Sequence, residues 1–260
     1  MEALPVEMKT LEASDGVMLS YLESGEGRPI VFIHGWAATS RFWEGIVSHL
    51  SPFRIIAPDL RGHGDSGKDS GIDYSTQRLV KDILELVDAL GLVKPIIVGH
   101  SLGGIIAAEC AANSGASGLM ITGVPRKIDV PVNRLKILMK MRWVAERLVT
   151  PKMFAPGADP ELLDFVRRES ARSPAGVLVE VMESTAGSVL APIEGKLPLL
   201  VVAGEFDSLN PLADQRLLAG EIGGEFRVVK GAGHNLMLEK PGEFAEIITD
   251  FTKNCNDFQS

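Results

Sequence analysis

Two cysteines in 260 residues, Cys110 and Cys255, lie far apart with no C-x-x-C or Cys/His pairing. That excludes a disulfide framework and a zinc site, and both thiols read as reduced and structural. Positive charge is also short, with 26 Lys and Arg against 34 Asp and Glu and a formal net charge of −8. A phosphate backbone needs a basic face, so the balance argues against a general nucleic-acid binder while leaving room for a local basic patch. Long apolar runs are missing as well. None approaches the roughly 20 residues of a membrane-spanning helix, and the start Met1-Glu2-Ala3-Leu4-Pro5-Val6-Glu7 lacks the charged and apolar regions of a secretory leader. The expected address is therefore the cytoplasm, with no membrane partner.

What is present is ordinary globular composition, 45% hydrophobic and 23% charged, enough for one domain with a sizeable core. Short β-branched runs alternate with amphipathic stretches, the pattern of a parallel sheet with crossover helices. A hairpin around Asp15-Gly16 joins 8–12 to 17–22, and further runs fall at 30–33, 54–57, 95–98, 118–122, 197–203 and 225–229. Most are nearly all apolar, as strands covered on both faces should be. In 76–90, Leu79, Ile83, Leu86, Val87 and Leu90 recur at spacings of three and four, which predicts a helix capped by Ser75 or Thr76 and stopped by Gly91. Helices are also expected over 102–112 and 241–253.

The alternation breaks between Pro125 and Glu194, a stretch of helix formers interrupted by six prolines from Pro131 to Pro192. It reads as a helical insertion within one domain. Its first part, 133–149, predicts one or two short helices that lay Leu135, Leu138, Met139, Trp143 and Leu148 on a support.

The most specific motif is Gly99-His100-Ser101-Leu102-Gly103, a G-x-S-x-G between an apolar strand and a helix. A strand that turns sharply into a helix strains its corner residue, and the flanking glycines let neighbouring backbone pass. Ser101 is then presented at a helix N-terminus, where dipole and free N–H groups favour the charge that develops in acyl transfer. A serine hydroxyl needs a base held by an acid. Of five histidines, His234 in the loop Gly231-Ala232-Gly233-His234-Asn235 sits at a late strand end and can reach over the elbow. His100 is expected to point to the far side of the elbow, His49 to be on the surface, and His63 to belong to a tight turn. Asp207, in Gly204-Glu205-Phe206-Asp207, is preferred over Glu205 as the acid because it sits deeper in its loop. Two backbone donors are expected for the oxyanion, Leu102 N–H after the nucleophile and Trp36 N–H in the loop His34-Gly35-Trp36.

With these residues in view the chain resembles the α/β-hydrolase-fold serine hydrolases, from about Tyr21 to its C-terminal helix. The resemblance rests on His34-Gly35-Trp36, the stretch Asp59-Leu60-Arg61-Gly62-His63-Gly64-Asp65-Ser66, the elbow at 99–103, and the order Ser101, Asp207, His234. It implies an α/β fold with a mostly parallel eight-stranded sheet flanked by helices, a core formed by 1–124 and 195–260, and a helical cap at 125–194 over the active site. It also implies an esterase acting through an acyl-enzyme on a small ester, with no metal and no cofactor. The substrate pocket is expected to draw on Trp36, Met139, Trp143 and Met237. Serine at position 101 argues against haloalkane dehalogenases and epoxide hydrolases, which use aspartate. Perhydrolases, carbon–carbon hydrolases and ligand-binding receptors of the same fold remain alternatives. So does pimeloyl-[acyl-carrier protein] methyl ester esterase, because 126–152 carries eight bases against Asp129 and Glu146, a local +6 that leaves −14 on the remainder. Such a basic patch would suit an acidic carrier protein.

Overall fold

The computed structural model describes residues 5–190, 193 and 197–255. Eight strands form one sheet in the order β1-β2-β4-β3-β5-β6-β7-β8. β1 (Val6–Glu12) and β2 (Met18–Ser24) are the hairpin expected at Asp15-Gly16, with Gly16 at φ 84°. β2 lies antiparallel to both β1 and β4 (Phe53–Pro58), and β3 (Arg28–Ile33), β5 (Ile96–His100), β6 (Gly118–Thr122), β7 (Leu199–Gly204) and β8 (Glu225–Val229) pair in parallel from β4 onward.

The four central strands β3, β5, β6 and β7 are buried on both faces over most of their length, which explains their unbroken apolar runs. Alternate residues feed two core layers. Val31, Ile33 and Ile97 join the layer under α2 (Thr76–Ala89) and α3 (Leu102–Asn113). Ile30, Phe32 and Val98 join the opposite layer with α1 (Glu44–Val47) and α10 (Pro241–Asn254), where the Trp43 ring lies between Phe32 and Phe244. The Ser75 hydroxyl caps α2 by accepting from Arg78 N–H.

Between β6 and β7 the chain makes four helices in place of one crossover: α4 (Val132–Met139), α5 (Arg142–Val149), α6 (Pro160–Ala171) and α7 (Ala175–Thr185). The expected segment 133–149 is thus two helices. The end of the insertion at 191, 192 and 194–196, including Pro192 and Glu194, lies outside the described residues. α8 (Leu212–Glu221) connects β7 to β8, and the short α9 (Leu236–Glu239) precedes α10.

The 59–66 stretch braces the loops at the carboxyl ends of the strands. Asp59 accepts from Ser40 N–H at 2.7 Å and Asp65 N–H at 2.8 Å, and Ser66 Oγ donates to Asp59 C=O. Arg61, fully buried, is clamped by both oxygens of Asp82 and by Asp15. A buried guanidinium held by two carboxylates fixes the turn in one geometry.

Candidate active site

Ser101 stands between β5 and α3 with φ 53° and ψ −121°, a conformation that non-glycine residues hold only where the surroundings enforce it. The enforcement is visible in its neighbours. A Cβ on Gly99 would sit 2.6 Å from Gly104 Cα and Ala107 Cβ, and one on Gly103 would run into the Ile33 and His34 carbonyls. Only glycine lets the helix start this close to β3 and β5. Ser101 N–H donates to Thr122 C=O at 2.9 Å, tying the corner to β6.

His234 follows β8, in the loop that Gly231 opens at φ 67°. Its Nδ1 lies 3.0 Å from Asp207 Oδ2, and both side chains are almost wholly buried. The carboxylate only accepts, so the proton sits on Nδ1 and the lone pair on Nε2, the tautomer a general base needs. Asp207 Oδ1 accepts from Leu209 N–H and Asn210 N–H, both at 2.9 Å. Glu205, by contrast, is exposed and accepts from Gly231 N–H at the loop base.

Gln215 on α8 was invisible to motif reading and is fully buried here. Its Oε1 accepts from Gly123 N–H, and its Nε2 donates to Asn210 C=O and to Asp207 Oδ2. Asn210 Nδ2 in turn donates to Gly123 C=O. The end of β6 and the acid loop are therefore stitched together beside the His234 ring.

The loop His34-Gly35-Trp36 has a similar support. His34 is fully buried; its Nε2 accepts from Leu60 N–H and its Nδ1 donates to Gly35 C=O at 2.7 Å, which also accepts from Ala38 N–H. Burial holds its pKa down to about 4, so it stays neutral. The Gly35 carbonyl and the Trp36 amide belong to one trans peptide and point in opposite directions. Fixing the carbonyl on the His34 ring therefore turns the Trp36 N–H the other way. Leu102 is the first residue of α3, so its N–H has no partner within the helix.

Ser101, His234 and Trp36 line one cavity of about 280 Å³. Its other walls are mostly apolar and come largely from the insertion: Leu135, Leu138 and Met139 of α4, Glu146 and Val149 of α5, Val166 and Ser170 of α6, and Leu178 and Met182 of α7. The Trp36 indole Nε1 donates to Leu178 C=O at 2.8 Å, joining core loop to insertion.

Three sequence expectations need correction. His100 does not point away from the site: it lines the cavity, its ring centre lies 4.6 Å from that of His234, and its Nε2 donates to His234 C=O at 3.2 Å. Strand alternation misleads at this position because Ser101 has already left the strand. Burial and the neighbouring His234 hold His100 well below its usual pKa, so it stands beside His234 as a neutral ring. Met237 is fully buried in the core layer on the opposite face of the sheet with Trp43 and Phe244, because α9 turns its apolar side inward beneath the site. Trp143 is 68% exposed on the outer surface of α5, whose inward face carries Glu146 and Val149 instead. Of the four pocket residues expected from sequence, Trp36 and Met139 line the cavity and Trp143 and Met237 do not.

Among the described residues no group of three or more His, Cys, Asp or Glu side chains is arranged to hold a metal ion, and no helix is long and apolar enough to cross a membrane. The cavity wall thus carries the Ser101 hydroxyl on its strained turn and the His234 imidazole hydrogen-bonded to Asp207.

Comparison with known proteins shows the fold and the family. Lipase 1 of Psychrobacter immobilis is 25% identical over 93% of this chain and 82% of its own length. An esterase from Exiguobacterium antarcticum superposes with a TM-score of 0.86 at 21% identity, covering 95% of this chain and all of the other. A bromoperoxidase from Bacillus anthracis gives 0.87 at 21% identity, again over 95% of this chain and all of the other. The likeness to these two structures is one of fold. The model of the alpha/beta hydrolase family matches residues 30–247. With most of its length matched by that model, and with the strand order and elbow described above, the chain belongs to the alpha/beta hydrolase family.

Proposed function

We propose that the protein is a serine esterase that cleaves small carboxylic esters through an acyl-enzyme, with Ser101 as nucleophile, His234 as base and Asp207 as its orienting acid. The observation that carries this is the Asp207–His234 hydrogen bond at 3.0 Å beside a strained Ser101 on the wall of the same cavity. In the first half-reaction Ser101 Oγ attacks the ester carbonyl and His234 Nε2 takes its proton. The tetrahedral oxyanion accepts from the Leu102 and Trp36 amides, each donor contributing about 3 kcal/mol to the barrier reduction. His234 returns the proton to the leaving alkoxide, and water, deprotonated by the same imidazole, releases the acid and regenerates the serine.

The volume and apolar lining suit short to medium acyl chains, and residues 125–194 act as a cap that selects them. A series of 4-nitrophenyl esters from acetate to decanoate, with Ser101→Ala as control, tests the reading. A burst followed by steady turnover is expected, with an optimum at short to medium chain length and a loss of about 10⁴-fold or more in kcat for the variant. An unchanged rate in Ser101→Ala would reject the nucleophile.

A second reading, delivery of the ester on an acidic acyl-carrier protein, draws support from the surface of the cap. Arg126 pairs with Glu221, Lys136 with Glu183 and Arg142 with Glu146, but Arg134, Lys140, Arg147 and Lys152 are exposed and form no ion pair among the described residues. Charge-reversal of these four should lower kcat/KM for a carrier-bound methyl ester at least tenfold, with a steep salt dependence in the unmodified enzyme. Salt-independent rates would remove this reading.

A further inference from the structure

One wall of the cavity departs from its apolar character. Glu146 is the only carboxylate among the lining residues described, and it faces a surface otherwise built from Leu135, Leu138, Val149 and Leu178. Its Oε1 is engaged twice, by Arg142 Nε at 2.6 Å and by Ser170 Oγ at 3.3 Å. The other donors of Arg142 go to Ser173 C=O, Ser170 C=O and Ser170 Oγ. Among the described residues no donor reaches Glu146 Oε2. Glu146 keeps 22% of its side chain exposed, so Oε2 is an acceptor still open to a partner.

We propose that Glu146, fixed by Arg142 and Ser170, forms a polar subsite that takes a neutral hydrogen-bond donor, a hydroxyl or an amide N–H, carried by the ester away from its scissile bond. The inference deepens the esterase reading and rests on it. The chemistry selects the ligand class. Arg142 already balances the carboxylate, so a bound ammonium would leave a net charge against a mostly apolar wall. A ligand carboxylate would stand beside the Glu146 charge, with most of the Arg142 donors already engaged by Glu146, Ser170 and Ser173. A hydroxyl or amide N–H supplies one proton to Oε2 and leaves the charge balance intact. A site built to receive such a donor discriminates strongly against the analogue that lacks it.

The test compares isosteric ester pairs. On the acyl side, 4-nitrophenyl 6-hydroxyhexanoate is set against the heptanoate; on the alcohol side, 6-hydroxyhexyl acetate is set against heptyl acetate. The unmodified enzyme should favour the hydroxyl-bearing member of at least one pair by about tenfold in kcat/KM. In Glu146→Gln the amide oxygen stays on Arg142 and the NH2 group takes the place of Oε2; the ligand hydroxyl loses its charged acceptor and can only accept from a neutral amide, so the preference should shrink severalfold. Equal rates within both pairs for the unmodified enzyme, a comparison that needs no variant, would overturn the proposal. So would a Glu146→Gln effect of equal size on both members, which would mark a purely structural ion pair. Failure of the esterase reading is distinct, since it appears as activity retained in Ser101→Ala whatever the ratio within the pairs.

Discussion

Gly123 leaves no room for a side chain. It sits at φ 58°, and a Cβ there would stand 2.9 Å from both Cε1 and Nδ1 of His234. Gly123→Ala should therefore push the imidazole off Asp207 without disturbing β6, whose ladder ends at Thr122. The expected result is a fall of about 100-fold or more in kcat with the fold retained by circular dichroism, since displacing a reacting group by about 1 Å is enough for such a loss. An alanine variant of normal activity would show that the ring is not held where the function needs it. At this scale the sequence is legible where a motif carries a mechanism. Ser101, Asp207 and His234 stand in loops whose glycines announce tight turns, and the structure brings Asp207 and His234 into hydrogen bond beside the cavity that Ser101 lines. Gln215 carries no such mark: a glutamine on a surface-type helix looks like any solvated residue until the loop it braces is in place. His100 and Trp143 were misjudged for a shared reason. Alternation and apolarity predict which way a side chain faces only while the element stays regular and its support is known.

The helices of the insertion are held to the core by discrete polar latches as well as apolar contact. Thr39 Oγ1 donates to Glu169 Oε2 at 2.7 Å, both groups being buried. Arg172 bridges Glu169 to Asp65. Asn235 N–H, next to His234, donates to Met153 C=O, and Ala155 N–H donates to Glu239. The loop bearing His234 is thus hydrogen-bonded to the segment that leads into α6, so loosening one should loosen the other. Replacing Glu169 by Ala leaves the Thr39 hydroxyl without its acceptor and Arg172 with Asp65 alone, a loss of about 1–3 kcal/mol at the latch. Hydrogen exchange should speed up across α6 while the amides of β5 and β6 keep their protection. Uniform exchange changes over the whole chain would instead assign Glu169 to global stability. Of the core helices, α2 and α10 are readable from spacing because each lays an apolar stripe on the sheet, and α3 from its small apolar run; α1, α8 and α9 carry no such signal. In the insertion α4 and α5 have only eight residues each. Their inward faces mix Leu and Met with Arg142 and Glu146, so periodicity gives their existence but not which side meets the cavity.

The whole molecule carries a titration set by three buried histidines that the fold keeps neutral, His100 at the site and the pair His34 and His63. His34 and His63 are completely buried, with ring centres 5.1 Å apart in an edge-on arrangement. Burial pushes His34 down to about 4; burial, with the His34 charge as a second cause, pushes His63 down to about 3. In the unfolded chain both return to about 6.5, so between pH 6.5 and 4 the unfolded state binds more protons than the native one. Stability must then rise with pH across that window and fall as the solution is acidified through it. By pH 5 each ring costs about 2 kcal/mol relative to pH 7, a large share of the stability of an ordinary domain. The depressed carboxylates Asp15 and Asp65, held low chiefly by hydrogen bonds from Arg61 and Arg172, add stability that is lost in the same direction at lower pH. Denaturant unfolding at pH 7, 6 and 5 should show the midpoint falling at each step. Substitution of His63 by Phe, which cannot be protonated, should remove roughly a third of the slope between pH 6.5 and 5 while leaving His34 and His100 to supply the rest. An identical slope in that variant would mean that the acid sensitivity comes from elsewhere than the paired His34 and His63 rings.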